Sequence, residues 1–442
     1  MPRSARSLSI VTILIVQAVF VVAVAVSYAT LPHDEKTDLQ RDLLGRDVYP
    51  ATPIERTTPL VIEPLYDDPN VVSDEELAGV LRQLQPRFPR EKMKPNFVEH
   101  ALRTWRARAK FSDPKVMSGA ELVEFLVNHG RYAKSWDDGT ADRTPLLEAR
   151  PHGIAIRIGT DPNESVHHDH WLASLTEAGV TLDTPIFAPG RVNATFNDVL
   201  QEALRDFRLD ERETEWSAMA FGLWIVPQKS WMTTAGREIS FDMLARRLIR
   251  GDKRHGVCNG THRVYSLTVL LRLDEQFDIL SDEVHAEVWA HLESVRDLLK
   301  VSQLADGHWP TNWSKGEEAV IDPLNDLDYR KVIATGHHLE WLAIAPIELH
   351  PPREQIIRAA KWVSANTVAR TESEILERYT FYSHVANALS LWRKTNPPDY
   401  WMAWEAAHPG TGTPPPGTPP APPAPSSPEG PKLPPLPAAP AP

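Results

Sequence analysis

Cysteine is almost missing from this chain: Cys258 is the single thiol in 442 residues. That excludes an intrachain disulfide, and any zinc site that needs two thiolates from one chain. A surplus of positive charge is missing too. Forty-seven Lys and Arg against 59 Asp and Glu leave a formal charge of -12, which argues against a nucleic-acid partner because no basic excess exists to neutralise phosphates. Clean two-residue alternation of apolar and polar side chains is also scarce, so the interior is not expected to be sheet. Hydrophobic residues, at 42%, are plentiful enough for a sizeable core.

One long apolar run is present. Residues 8–29, "LSIVTILIVQAVFVVAVAVSYA", have the length to cross a hydrocarbon layer of roughly 30 Å. Arg3 and Arg6 before it and "HDEK" after it favour a cytoplasmic N-terminus. Small residues at Ala23-Val24-Ala25 and Ser27-Tyr28-Ala29 resemble signal-peptide cleavage sites. Residues 1–30 are therefore a membrane anchor or a signal peptide. The rest is expected outside the cytoplasm, membrane-anchored if the segment stays and secreted if it is cleaved. Much of the chain's proline sits in residues 409–442, which have little to bury and read as a disordered tail. Residues 31–72, also punctuated by proline, read as an extended tether, and the folded domain is expected over 73–408.

Within that domain, stretches such as "VLQEALRDF", "VWAHLESVRDLL" and "IIRAAKWVSANTV" repeat apolar residues at helical spacing. "GIAIRIG", residues 153–159, fits a short strand or a buried helical turn, and "RARAK", residues 106–110, a solvated helix face. Helices opening at Asp169, Thr214, Thr261, His337 and Ser383 share a polar or histidine start followed by small or aliphatic positions. Their spacing of about 45 residues, with one longer gap near 76, signals stacked helical hairpins. The expected fold is all-α, an α/α toroid in which hairpins close into a ring. Closure would set His170, His262, His338 and His384 at one rim.

The long gap contains "LLKVSQLADGHWPTNW", residues 298–313. Its Gln303, Gly307 and Trp309 resemble the Gln…Gly-x-Trp motif of squalene-type cyclases, and "DGHW" is similar to a turn widespread in the terpenoid cyclase and protein prenyltransferase toroids. The resemblance implies a toroid in which Gln303 caps a helix and Trp309 braces the turn, with a ligand cavity at the centre. The family's catalytic motifs are incomplete here. "NDLDYR" offers Asp326 and Asp328 without the adjoining second aspartate of a class II cyclase. Gly256 stands where a prenyltransferase zinc site has an aspartate, although His337 and His338 follow as later histidines. "GVCNGTH" is similar to the Cys-His-Gly segment of lanthionine synthetase cyclases, without their second cysteine.

Several residues stand out as site candidates. In "RHGVCNGTHRVYSL", Asn259-Gly260 signals a turn and Thr261 an N-cap, which puts Cys258 beside a helix N-terminus able to lower a thiol pKa. His255 and His262 flank it. Cys258, His262, His338, His384 and Asp306 are the catalytic candidates, and Cys258 with His337 the candidate metal ligands, zinc being the metal such ligands suit. "SVHHDHW", residues 165–171, offers His167 and His170 to a metal or simply opens a helix. Trp309, Trp341 and Tyr382 are candidates for lining the cavity. Three functions follow: a membrane-anchored toroid binding a hydrophobic ligand, a carbohydrate-active α/α-barrel lyase or hydrolase, or a non-enzymatic scaffold.

Overall fold

An uncharged apolar stretch makes its own helix, and in the computed structural model α1 (Ile10–Thr30) is that helix, with its side chains exposed along its length. The structure describes residues 10–32, 35, 36, 39, 43, 51–136, 144–159, 164–211, 213–251 and 257–409. Arg3, Arg6, His255 and the proline-rich tail from residue 410 lie outside them. Lys36 donates to the Ala29 carbonyl at 2.9 Å, serving a free acceptor in the last turn of α1. The helix is long and apolar enough for a membrane anchor or a signal sequence.

The helical body follows in chain order. It begins with α2 (Asp74–Gln83), α3 (Pro95–Trp105), α4 (Gly119–Val127), α5 (His129–Ser135) and α6 (His170–Glu177). Next come α7 (Phe196–Asp206), α8 (Glu215–Ile225), α9 (Phe241–Arg250), α10 (Thr261–Phe277) and α11 (Asp282–Ser302). It ends with α12 (Glu318–Ile321), α13 (Asp328–Ile344), α14 (Arg353–Val368), α15 (Glu372–Glu377), α16 (Tyr379–Leu391) and α17 (Pro397–Ala407). Three two-stranded antiparallel hairpins decorate it: β1 (Leu147–Ala149) with β2 (Ile154–Ile156), β3 (Pro185–Ile186) with β4 (Ala194–Thr195), and β5 (Ser230–Met232) with β6 (Glu238–Ser240). "GIAIRIG" is thus a strand, and the fold is mostly helical.

Two kinds of helix alternate along the chain. α2, α4, α7, α9, α11 and α14 bury one stripe and show the other to solvent. Most start on a side-chain cap: Ser73 and Ser118 with full capping boxes, Ser240 and Ser281 with single bonds. Between them, α3, α6, α8, α10, α13 and α16 are covered on nearly every side. All of α8 is buried, as is α13 from Val332 to Ile344. These six meet in succession, α3 on α6, α6 on α8, α8 on α10, α10 on α13, α13 on α16, and α16 on α3. Outside them α2 packs on α14, joining early and late parts of the chain. α8 and α10 approach so closely that a Cβ at Gly222 would lie 2.8 Å from Leu273, a contact only glycine permits without a shift.

Tryptophan supplies the packing bulk. Trp105, Trp171, Trp216, Trp224, Trp309, Trp313, Trp341 and Trp401 are all fully buried, and each is worth about 3–5 kcal/mol against alanine. The Gln303 motif braces two elements. Its amide nitrogen donates to the Gly307 carbonyl at 2.8 Å and to the Gln355 carbonyl at 2.7 Å, while Trp309 Nε1 reaches the Leu299 carbonyl at 3.0 Å. Gly307 sits at φ 108, and a Cβ there would fall 2.8 Å from the Arg358 carbonyl oxygen.

Residues 51–72 run extended against this body. Leu60 N–H donates to the Leu223 carbonyl, Leu65 N–H to Ala343, and Tyr66 hydroxyl to Ala345. These acceptors lie at or just past the C-terminal ends of α8 and α13, so the segment lies across that end of the helices like a strap. "RARAK" departs from its expected helical face: α3 stops at Trp105, and Arg106 turns out of the helix with φ 57, ψ 166.

Candidate metal centre

The local sequence before α10 forces an unusual approach. Cys258 (φ 49), Asn259 (φ 60) and Gly260 (φ 80) are three successive left-handed residues, costly for the first and free for the last. Gly260 is the cap residue and Thr261 the first helical one. The Thr261 hydroxyl donates to the Cys258 carbonyl at 2.7 Å, so it ties the turn together and does not serve as the expected N-cap. This turn brings Cys258 to His262 on α10 and His337 on α13, the three ligand atoms all within 4.8 Å of one another.

The imidazoles are presented with one ring nitrogen committed. Glu340, one turn after His337 on α13, accepts from His337 Nδ1 at 2.8 Å and from His384 Nδ1 of α16 at 3.1 Å. Its other oxygen accepts from Arg103 Nη1 at 3.0 Å and from Asn387 Nδ2 at 2.7 Å. Arg103 Nη1 also lies 3.1 Å from His384 Nδ1, but the carboxylate is the stronger acceptor. With Nδ1–H donated, Nε2 of both His337 and His384 is a bare lone pair. His337 Nε2 faces His262 Nε2 at 2.9 Å, and His384 Nε2 has no hydrogen-bond partner among the described residues. Tying one imidazole nitrogen to a carboxylate so that the other is a defined lone pair is how proteins orient metal ligands. Two nitrogens on one tetrahedral zinc stand roughly 3.3 Å apart, close to the separation here.

Electrostatics point the same way. Burial pushes the pKa values of His262, His337 and His384 down, that of His384 to about 3, which keeps the rings neutral and able to ligate. Burial alone would raise Glu340, but Arg103, His384 and His337 hold it well below the usual carboxylate range, so it stays ionised. Burial, with Glu213, Glu340 and Glu215 nearby, pushes the Cys258 thiol up. This is opposite to the lowering expected from a helix N-terminus, and it leaves a poor nucleophile unless a cation takes the proton's place.

Around this core stand more imidazoles. His100 of α3, His170 of α6 and His167 just before it approach the same axis, with ring centroids 4.3 Å apart for His100–His170 and 5.4 Å for His100–His384. Glu99 accepts from His170 Nδ1 at 2.7 Å and from Ser165 at 3.1 Å. On the opposite side of Arg103, Glu177 accepts from its Nε and from the Tyr265 hydroxyl at 2.8 Å. At the edge, Asp169, Glu211 and Glu213 surround His167 and His168, and Asp169 raises His168 to about 9.

Of the residues singled out in the sequence, Cys258, His262, His337 and His384 converge. His167 and His170 flank them, and the others stand apart. His338 projects from a different face of α13, where its Nδ1 accepts from Trp341 and its ring meets Trp313 and Trp309 edge-on. Trp309 and Trp341 are packing plates in that layer. Asp306 is at the surface, accepting from His308 and Trp362, and Tyr382 borders a separate surface cleft with Asp328 and Arg370. Arg103, Glu99, His100, Glu177, Tyr265 and Asn387 went unnoticed. A signal for most of them exists: His100–Arg103, His262–Tyr265, His337–Glu340 and His384–Asn387 all pair a histidine with a polar residue three positions on, one helical face repeated four times. No family model, curated protein or solved structure matches this chain.

Proposed function

We propose that this chain is a membrane-tethered extracytoplasmic α/α toroid with a zinc-class metal centre on its axis, held by Cys258, His262 and His337. The six mutually packed inner helices and the alternation of inner with outer helices support a closed ring. The observation that carries the metal reading is the pair of facing Nε2 atoms with Cys258 in reach, His337 being fixed from behind by Glu340. One thiolate and two imidazoles are a zinc donor set with a coordination position to spare, the arrangement that activates water or polarises a carbonyl. His384, which shares Glu340 with His337, stands next to this donor set.

The axis is lined by charged and hydrogen-bonding groups, Arg103, Glu340, Tyr265 and Asn387 among them, and the tryptophans pack between helices. That favours a polar substrate, such as a glycan or another hydroxyl- and carboxyl-bearing molecule, over an isoprenoid. Metal analysis tests the proposal. The full chain, purified without a histidine tag, should carry about one zinc, and Cys258→Ser and His337→Ala should each lose it while remaining folded by circular dichroism. A chain that takes up no zinc when refolded or dialysed with it sinks the reading.

A further inference from the structure

The end of the helices crossed by the strap holds a separate cleft, joined to the Cys258 cluster through Glu177, Arg103 and Glu340. The C-terminal ends of α3, α6 and α16 open there onto a cleft of about 600 Å³, walled by strap residues Thr58 to Pro64 and by Arg106, Glu177, Gly179, Lys394 and Asn396. Arg106 is the unusual member. Its backbone, at φ 57 and ψ 166, occupies a region that residues other than glycine almost never adopt. Its side chain is half-buried in the cleft wall and makes no hydrogen bond or ion pair to any described residue. Lys394, also left-handed at φ 49, brings a second unpaired cation to the same cleft.

The acids there are mostly spoken for. Glu177 is held by Arg103 and Tyr265, and Asp399 by Arg108 and Asn396. Only Glu63, exposed on the strap, remains to offset two cations. The turn lets Ala107 N–H reach the Ala178 carbonyl at 3.2 Å and Ala109 N–H the Arg106 carbonyl at 3.4 Å, but it gives the Arg106 side chain no hydrogen-bond partner among the described residues, which leaves a planar donor fork for the cavity. We infer that this cleft binds a small oxyanion-bearing molecule, with Arg106 as the fork and Lys394 as the second charge.

Thermal unfolding of the full chain in detergent tests this with sodium phosphate and sodium succinate as probes, each compared with sodium chloride at equal ionic strength. At least one anion should raise the wild-type Tm, and the stronger one identifies the headgroup as phosphate or carboxylate. Arg106→Gly should abolish that rise and, by relieving the backbone, lift the ligand-free Tm by a few degrees. Lys394→Ala, at an exposed position, should weaken the response several-fold, and it carries the comparison if Arg106→Gly does not fold. If neither anion moves the wild type beyond chloride, or if both variants respond as the wild type does, the site is not there. Zinc content is a separate readout and should be the same in all three proteins.

Discussion

Two glutamates lie buried among the inner helices, and their surroundings set them to opposite charge states. Glu340 is reached by a guanidinium, an amide and two imidazoles, and is held ionised. Glu99, on the other flank, has Ser165 and His170 but no cation in contact, and burial pushes its pKa up to about 8. Its Oε1 has no hydrogen-bond partner. Both are equally removed from water, so burial alone does not decide the charge. The presence of Arg103 on one side does, and the negative centre it stabilises is what orients His337 and His384.

That contrast can be broken most severely at Glu340. Glu340→Gln leaves Arg103 with Glu177 as its remaining carboxylate partner and removes the anion that His337 and His384 face, so the cost should approach without exceeding the about 3–5 kcal/mol of a buried charge left unpaired, read from urea denaturation at pH 7. It should also lower zinc affinity, by about 10–100-fold, through loss of the anchor behind His337. A smaller effect is expected at His338, whose face of α13 is structural. His338→Ala removes the acceptor for Trp341 Nε1 and should cost about 1–3 kcal/mol while leaving zinc stoichiometry at wild-type level; a loss of metal there would erase the distinction between the two faces.

The effect sharpest in sign belongs to Glu99. Because its folded pKa is raised, the native state holds a proton that the unfolded chain has already released. Stability from this group is complete below about pH 4.5 and is lost as pH rises toward 8. Glu99→Gln should therefore match the wild type near pH 4.5 and become progressively more stable relative to it up to pH 8, in paired denaturation curves. Glu340 runs the other way: its contribution is present above about pH 4.5 and disappears as acid titrates its depressed carboxyl.

The sequence announced some of this and concealed the rest for identifiable reasons. Outer helices such as α7, α11 and α14 have one wet face, so their periodicity was plain. Inner helices such as α8 are apolar on every side, and only their polar openings marked them. Cys258 and His262 do flank a helix opening, the start of α10, but the sequence places two other openings too late: α13 begins at Asp328 and α16 at Tyr379, so His337 and His384 lie inside helices and not at their starts. His338 is indistinguishable from His337 on a page, since one residue along a helix is a rotation of about 100°, and only packing shows which imidazole meets the axis. Arg103 is hidden because its helix opens with proline and precedes the first repeat unit, at Asp169. Arg106 was read as solvated helix, a conclusion that ignores how a backbone can leave α geometry at a single residue.

The strap has a mechanical consequence. It lies between α1 and the helical body in the chain, and its residues 60–62 rest over the inner-helix ends. Any force carried by an embedded α1, from bilayer motion or crowding, would enter the domain there and pull outward on the cover of the oxyanion cleft. A soluble fragment freed of α1 would feel no such load, so ligand exchange at that end should be slower in the fragment than in the tethered chain.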